Sequence, residues 1–282
     1  MTAPLAGVRV VSVAINLPGP AAAARLTAWG AELTTVLPPS GDPLQEFAPA
    51  YFDELHDGQE VLHLDLKAAE GRDRLEQLLV RADVLLTSSR PSALARLGLD
   101  HEHVSRRHPH LCQVDIVGHP GEGAEVAGHD LTYQAGAGLL PDGRMPATTV
   151  VDLAAAERAA GEVAAALVAR AGTGRGSRCE VALSDVAGML ARPLVHRLTG
   201  ARGLLGGDVP GYAVYSAAEG HVALAALEPH FVQRLATALD ALPEELTRER
   251  LGHVFAGRSA AAWEQWAAER DIPLAAVVDH HA

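Results

Sequence analysis

The chain has 282 residues, of which 48% are hydrophobic and 21% are charged, and its formal net charge at pH 7 is −12. This length and composition predict a folded α/β protein, and we expect one large and one small domain. The negative charge argues against nucleic acid and against an anionic membrane surface as partners.

The first five residues, Met1-Thr2-Ala3-Pro4-Leu5, contain neither a basic region nor an apolar one of the signal-peptide type. No stretch approaches the roughly 18 consecutive apolar residues that a membrane span needs. We therefore expect a cytoplasmic protein with no membrane partner.

Short valine- and leucine-rich runs alternate with helical patterns through the first part of the chain. Alternation of this kind predicts parallel strands joined by helical crossovers, in the doubly wound, Rossmann-like class. Ligands of such sheets bind beyond the carboxyl ends of the strands. The predicted strands are residues 8–14, 33–37, 61–66, 83–87, 111–117 and 178–183, and the predicted helices between them are 21–29, 68–81 and 154–171.

The last part of the chain has a different pattern. A glycine-rich run over residues 203–211 indicates a linker, and residues 212–215 and 222–226 read as a hairpin that turns at Glu219-Gly220. Three further helices are predicted at 230–239, 244–255 and 260–269. We expect a large domain over residues 1–200 and a small α+β domain over residues 201–282.

Two acidic residues, Asp130 and Asp152, each stand directly before an apolar helical stretch, and His129 precedes the first. An aspartate at a helix N-cap accepts backbone N–H bonds and is expected to stay ionised near neutrality. A histidine titrates within the physiological range. The simplest interpretation is that both aspartates only cap helices. The alternative hypothesis is that a carboxylate and an imidazole move a proton off one carbon and back on.

Other conspicuous clusters point to no further site. The histidines at 101, 103, 108 and 110 fall on a helix and a loop, where they would not converge on one face, so no metal is expected. The terminal Asp279, His280 and His281 are interpreted as a chain end. The turn at residues 16–20 lacks the GxGxxG pattern of NAD and FAD sites.

Several short motifs occur along the chain in a recognisable order and spacing. They are Pro4-Leu5-Ala6-Gly7-Val8-Arg9-Val10-Val11, Pro18-Gly19-Pro20, Trp29-Gly30-Ala31-Glu32, Leu64-Asp65-Leu66-Lys67, Asp83-Val84-Leu85-Leu86, Arg90-Pro91, Leu97-Gly98-Leu99 and Gly172-Thr173-Gly174-Arg175-Gly176. In this order and spacing the chain resembles the class III CoA-transferases, the CaiB/BaiF family, from about residue 4 to residue 278. The resemblance implies a Rossmann-like large domain and a small domain in an interlocked homodimer, with a CoA thioester as substrate and no covalently bound cofactor.

Two reaction types occur in the family that the chain resembles. In its transferases an aspartate at the position of Asp130 becomes acylated as a nucleophile. In the α-methylacyl-CoA racemase branch a histidine and a later aspartate, which match His129 and Asp152, form a proton pair, and Glu228 resembles that branch's active-site glutamate. The preferred hypothesis is a racemase or epimerase of a 2-substituted acyl thioester that works through an enolate. The alternatives are an acyl-CoA:carboxylate CoA-transferase and a catalytically repurposed member.

An enolate needs stabilisation as well as a base and an acid. The backbone N–H groups that follow Asp130 are the expected oxyanion donors. Of the basic residues with which the family grips CoA phosphates, only Arg90 and Lys67 are evident in this chain, and the C-terminal return segment of the family is not recognisable. A carrier-protein thioester or a short acyl-CoA would also fit these departures.

Overall fold

The computed structural model describes residues 3–140, 143–201 and 203–279. The chain divides between Ala191 and Arg192 into two compact units, each with its own core.

The first unit is built on a parallel sheet of six strands in the order β3-β2-β1-β4-β5-β6. The predicted doubly wound class is therefore confirmed. The strand order reverses between β1 and β4, and at such a switch point the crossovers leave on opposite faces and open a crevice. The strands are β1 (Arg9–Ser12), β2 (Glu32–Leu37), β3 (Glu60–His63), β4 (Val84–Thr87), β5 (Cys112–Val117) and β6 (Arg178–Ala182).

Helices surround this sheet. All residues of β4 and β5 are buried. β4 is therefore almost wholly apolar, whereas β5 also buries Gln113 and Asp115, and Asp115 accepts a hydrogen bond from Arg178 Nε over 2.6 Å. The helices are α1 (Pro18–Ala28), α2 (Pro43–Phe47), α3 (Pro49–Leu55), α4 (Ala69–Leu79), α5 (Pro91–Leu97), α6 (His101–Arg107), α7 (Asp130–Gly136), α8 (Val150–Thr173) and α9 (Leu183–Leu190), with a 3₁₀ turn at Gly121–Glu125.

Helices α1 and α8 pack against each other through small side chains. Ala22 and Ala23 of α1 and Ala155, Ala159 and Ala160 of α8 are all fully or almost fully buried. Side chains of this size let two helix backbones approach closely. The alanine-rich sequence of α8 is thereby explained, and the helix begins at Val150, earlier than the residue 154 predicted.

The second unit combines a three-stranded antiparallel sheet with helices. Its core is aromatic: the rings of Phe255 and Trp263 meet edge to face with centroids 5.2 Å apart, and Trp263 Nε1 donates to the Phe255 carbonyl over 2.8 Å. The elements are β7 (Tyr212–Ser216), β8 (His221–Ala225), β9 (Leu274–Ala276), α10 (Arg192–Val195), α11 (Pro229–Ala238), α12 (Arg248–Phe255) and α13 (Ala260–Ala268), with a 3₁₀ turn at Pro243–Glu245.

No helix within the described ranges combines the length and the apolar composition that crossing a membrane requires.

Candidate functional site

A cavity of about 250 Å³ opens at the carboxyl ends of β1 and β4, at the reversal in strand order. This is the place where open α/β sheets bind their ligands. Both His129 and Asp152 line the cavity. Its wall further includes Ile15 and Asn16 after β1, residues 88–90 after β4, Gly118 after β5, and Gly128 and Tyr133 at the two sides of His129.

His129 is the N-cap residue of α7 and has an extended backbone. Thr132 fixes that backbone from both sides, because its Oγ1 accepts the His129 N–H over 3.1 Å and donates to the His129 carbonyl over 2.8 Å. The imidazole reaches the cavity wall, and no hydrogen bond to it is present among the residues that the structure describes. Its nitrogens are therefore available to a ligand.

The carboxylate of Asp130 is buried, and it caps a helix other than its own. Its Oδ1 accepts the backbone N–H groups of Val151, over 2.8 Å, and Asp152, over 3.0 Å, while Oδ2 accepts the amide of Gln134. The two N–H groups belong to the first turn of α8. The side chain of the N-cap residue of this helix, Thr149, makes no capping hydrogen bond. Asp130 therefore caps the N-terminus of α8 although it belongs to α7. It does not line the cavity.

Asp152 is in the first turn of α8 and is directed into the cavity. Burial, and then the negative charge of Asp130, raise the pKa of the Asp152 carboxyl to about 7. The expectation that this residue stays ionised near neutrality was therefore wrong, because desolvation outweighs the favourable position at a helix start. Near neutral pH the group exchanges readily between its charged and neutral forms.

The raised pKa of Asp152 has a consequence for stability. The carboxyl has a pKa of about 7 in the folded chain and an ordinary value of 3.8. Because the folded chain binds the proton of Asp152 more tightly than the unfolded chain does, this proton stabilises the fold. The stabilisation is complete below pH 3.8 and is lost as pH rises through about 7. We therefore expect Asp152→Asn to raise the free energy of unfolding more at pH 8 than at pH 5, by on the order of 2 kcal/mol. Urea denaturation at the two pH values measures this difference, and an equal effect at both would contradict the assignment.

Two of the expected oxyanion donors are already bonded. The backbone N–H groups of Thr132 and Tyr133 donate to the His129 carbonyl over 2.8 and 3.2 Å as α7 begins. The expectation that the helix start after Asp130 supplies the oxyanion donors was therefore wrong for these two groups.

Tyr133 is the residue that sequence reasoning missed. It is only 5% exposed and lines the cavity together with His129 and Asp152. The signal that could have found it is its spacing, because a residue four positions after His129 stands one helical turn further along the same face.

The two basic residues expected to bind phosphates occupy neighbouring cavities. Arg90 lines the cavity that contains His129 and Asp152. Lys67 lines a second cavity of about 420 Å³, which is mostly apolar and also reached by Ile15 and Ser89. The two cavities share these residues and are therefore adjacent at the carboxyl ends of the strands. Asp65 and Lys67 are the charged side chains in the described lining of the second cavity.

Glu228 lies in the second unit, where it is the exposed N-cap residue of α11. Its role beside His129 remains a prediction.

Two of the histidines after Leu99 lie beside different carboxylates. His103 Nδ1 lies 2.7 Å from Asp100 Oδ2, and the buried His108 has its Nε2 2.8 Å from Glu76 Oε1. Over the described ranges, no three His, Cys, Asp or Glu side chains are placed to hold a metal ion. His280 and His281 lie outside those ranges.

Residues 5–282 match the sequence model of CoA-transferase family III. Succinate–glutarate CoA-transferase of Agrobacterium fabrum is 30% identical over 65% of this chain and 52% of its own length, so the match spans about half of that protein. Alpha-methylacyl-CoA racemase of Mus musculus is 29% identical over 93% of this chain and 74% of its own length.

Solved structures of similar fold cover the chain almost completely. A CAIB/BAIF family protein from Brucella suis superposes with a TM-score of 0.85 at 23% identity, covering 99% of this chain and 85% of that one. A hypothetical protein from Mycobacterium tuberculosis has a TM-score of 0.82 at 26% identity, over 99% and 87% of the two chains.

Proposed function

Because the chain belongs to CoA-transferase family III, we propose that it racemises or epimerises a 2-substituted acyl thioester. His129 and Asp152 are the proposed proton pair. The observation that carries the proposal is that the imidazole and the carboxyl, which come from the starts of two different helices, line one cavity at the switch point of the sheet.

The protonation behaviour of the pair suits this chemistry. The α-carbon of a thioester is a weak acid, so inversion needs a base on one side of the carbon and a conjugate acid on the other. A carboxyl with a pKa of about 7 can serve in either form near neutral pH, and an imidazole can act as a general acid or a general base. Each group could therefore remove the α-proton of one enantiomer and return a proton to the other.

The wider assignment rests on the family. We propose a CoA thioester as the substrate, with Arg90 and Lys67 as its phosphate partners, and no covalently bound cofactor. Glu228 is proposed to support the pair formed by His129 and Asp152, in a cytoplasmic homodimer.

A CoA-transferase with Asp130 as nucleophile is the second candidate, and the 30% identity to a curated transferase favours it. Both carboxylate oxygens of Asp130 are engaged, by two backbone N–H groups and by Gln134. Attack on a thioester would require Asp130 to leave these bonds and uncap α8. The racemase relative also aligns over more of the chain. Both observations favour the racemase.

Isotope exchange tests the proposal. Purified protein is incubated with a 2-methylacyl-CoA in deuterated water, and uptake of deuterium at the α-carbon is followed together with loss of optical purity. Exchange with racemisation is the expected result. A hydroxylamine-sensitive acyl adduct on Asp130 without exchange would establish the transferase, and neither exchange nor adduct would favour a repurposed member.

The pKa of Asp152 predicts a pH dependence. Wash-out of an α-deuterium label into water should rise with pH, with a midpoint near 7, for the enantiomer whose proton Asp152 removes, because only the carboxylate form accepts it. Asp130→Asn should move this midpoint to lower pH, since the charge of Asp130 is one cause of the raised pKa. Rates for both pure enantiomers between about pH 5 and 9 measure this; profiles without a midpoint in this range would contradict the role of Asp152.

A further inference from the structure

The cavity holds a third polar side chain, Tyr133, which the proton pair does not use. Its ring is buried, and the ring of His119 packs edge to face against it with centroids 5.4 Å apart. Because the ring is held by packing, the direction of its hydroxyl is set by the fold.

Two glycines make room for the end of this ring. A Cβ atom at Gly118, which follows β5, or at Gly128, which precedes His129, would lie 2.4 Å from the Tyr133 hydroxyl oxygen. Neither glycine has a positive φ. Both are therefore needed for space rather than for an unusual backbone conformation. The segments that contain Gly118 and Gly128 form a slot between them. The end of the Tyr133 ring occupies this slot, with its hydroxyl at the cavity wall.

The hydroxyl at the end of the slot is free to bind a ligand. A buried tyrosine hydroxyl usually has a hydrogen-bond partner. Across the described ranges none reaches the Tyr133 oxygen, and the atom is not sealed from solvent. Gly118 and Gly128, between which the oxygen lies, line the cavity together with Tyr133, so the oxygen is at the wall of the space that a substrate would occupy.

The electrostatic surroundings keep this group protonated. Burial and the charge of Asp152 raise the pKa of the Tyr133 hydroxyl above its ordinary value, while Arg90 opposes them. At neutral pH the phenol therefore retains its proton and acts as a hydrogen-bond donor.

We propose that Tyr133 is a further catalytic residue, whose hydroxyl donates a hydrogen bond to the carbonyl oxygen of the thioester and to the enolate oxygen that replaces it. The inference rests on the proposed racemase function. When His129 or Asp152 takes the α-proton, the electron pair of the C–H bond moves to that oxygen, and it returns when the other group delivers a proton to the α-carbon. Tyr133 keeps its own proton throughout. In this proposal the Tyr133 hydroxyl takes the place of the backbone N–H groups of Thr132 and Tyr133, which already donate to the His129 carbonyl.

Tyr133→Phe tests the role, because it removes the hydroxyl and keeps the packed ring. Loss of one preorganised donor costs about 100-fold in turnover in comparable sites. We expect a fall in α-hydrogen exchange of that size, with the Michaelis constant and the pH midpoint of Asp152 little changed. Tyr51→Phe, in α3 and outside the cavity lining, is the matched control and should leave exchange unaltered.

A binding measurement separates this inference from the proposed function. In an N,N-dialkylcarbamoyl-CoA a planar nitrogen replaces the α-carbon, and negative charge builds on the carbonyl oxygen as in the enolate. Calorimetry should show that Tyr133→Phe weakens binding of this analogue about 10-fold or more, while binding of an ordinary 2-methylacyl-CoA stays within about 3-fold of the native value.

The outcomes of the two measurements are distinct. Unchanged exchange in Tyr133→Phe, or equal weakening of analogue and substrate, would overturn the donor role. A shifted pH midpoint without selective loss of analogue binding would also overturn it, since Tyr133 would then act only by tuning Asp152. If the native protein shows no exchange, the proposed function fails, and selective loss of analogue binding still decides the role of the hydroxyl.

Discussion

Asp152→Asn is expected to reduce α-hydrogen exchange by about 10²- to 10⁴-fold, because an amide of the same shape neither accepts nor returns the proton. The carboxyl is suited to the task by its position on the cavity wall and by a pKa raised to about 7. Exchange of an α-deuterium label into water, followed for each enantiomer, measures the effect.

Asp185→Asn is the matched control for this variant. Asp185 is in the first turn of α9, as Asp152 is in the first turn of α8, but it is exposed and lies outside the described cavity lining. It should retain native exchange. Because Asp152→Asn is expected to be at least as stable as the native chain at pH 8, lost exchange at that pH would not reflect unfolding. Exchange within about 3-fold of native would remove Asp152 from the mechanism.

His129→Gln is the second change for which a large loss is expected, again of about 10²- to 10⁴-fold. Glutamine keeps a polar side chain at the N-cap of α7 but cannot carry a proton to or from carbon. The backbone of residue 129 should stay in place, because both of its bonds to Thr132 involve main-chain atoms of this residue. Racemisation of a pure enantiomer, followed by chiral chromatography, measures the loss.

His103→Gln controls for the loss of an imidazole as such. His103 is exposed in α6, and its Nδ1 contacts only the nearby Asp100 among the described residues. The control should racemise at the native rate. Since His129 and Asp152 are proposed to act as one unit, the double variant His129→Gln/Asp152→Asn should be little slower than either single variant. If the fold-reductions of the two single variants multiplied in the double variant, the two residues would serve separate steps instead.

Local patterns predicted the sheet and the order of its elements well. Strands such as β1 and β4 are largely buried, so most of their residues must be apolar, and this requirement is visible in the sequence without knowledge of the fold. The family motifs lie in the same segments, and the resemblance to CoA-transferase family III is confirmed over residues 5–282.

The elements that were missed are short or depend on distant partners. Helices α2, α3 and α5, which were not predicted, each begin with a proline, a residue that often marks loops although its fixed φ also suits the first position of a helix. Strand β9 has three residues and exists through its pairing with β8. A segment so short has no periodicity from which a strand could be predicted.

The sequence by itself determined the class of the fold and the family, and it offered His129, Asp130 and Asp152 as candidate catalytic residues. The local pattern alone does not distinguish Asp130 from Asp152, since each precedes an apolar helical stretch, and only the family resemblance assigned them different roles. Only the tertiary structure gave Asp130 the N–H groups of α8 and left Asp152 facing a cavity with a pKa of about 7. The physical reason is that hydrogen bonding and desolvation depend on groups brought together by folding, and an adjacent sequence pattern does not specify those groups.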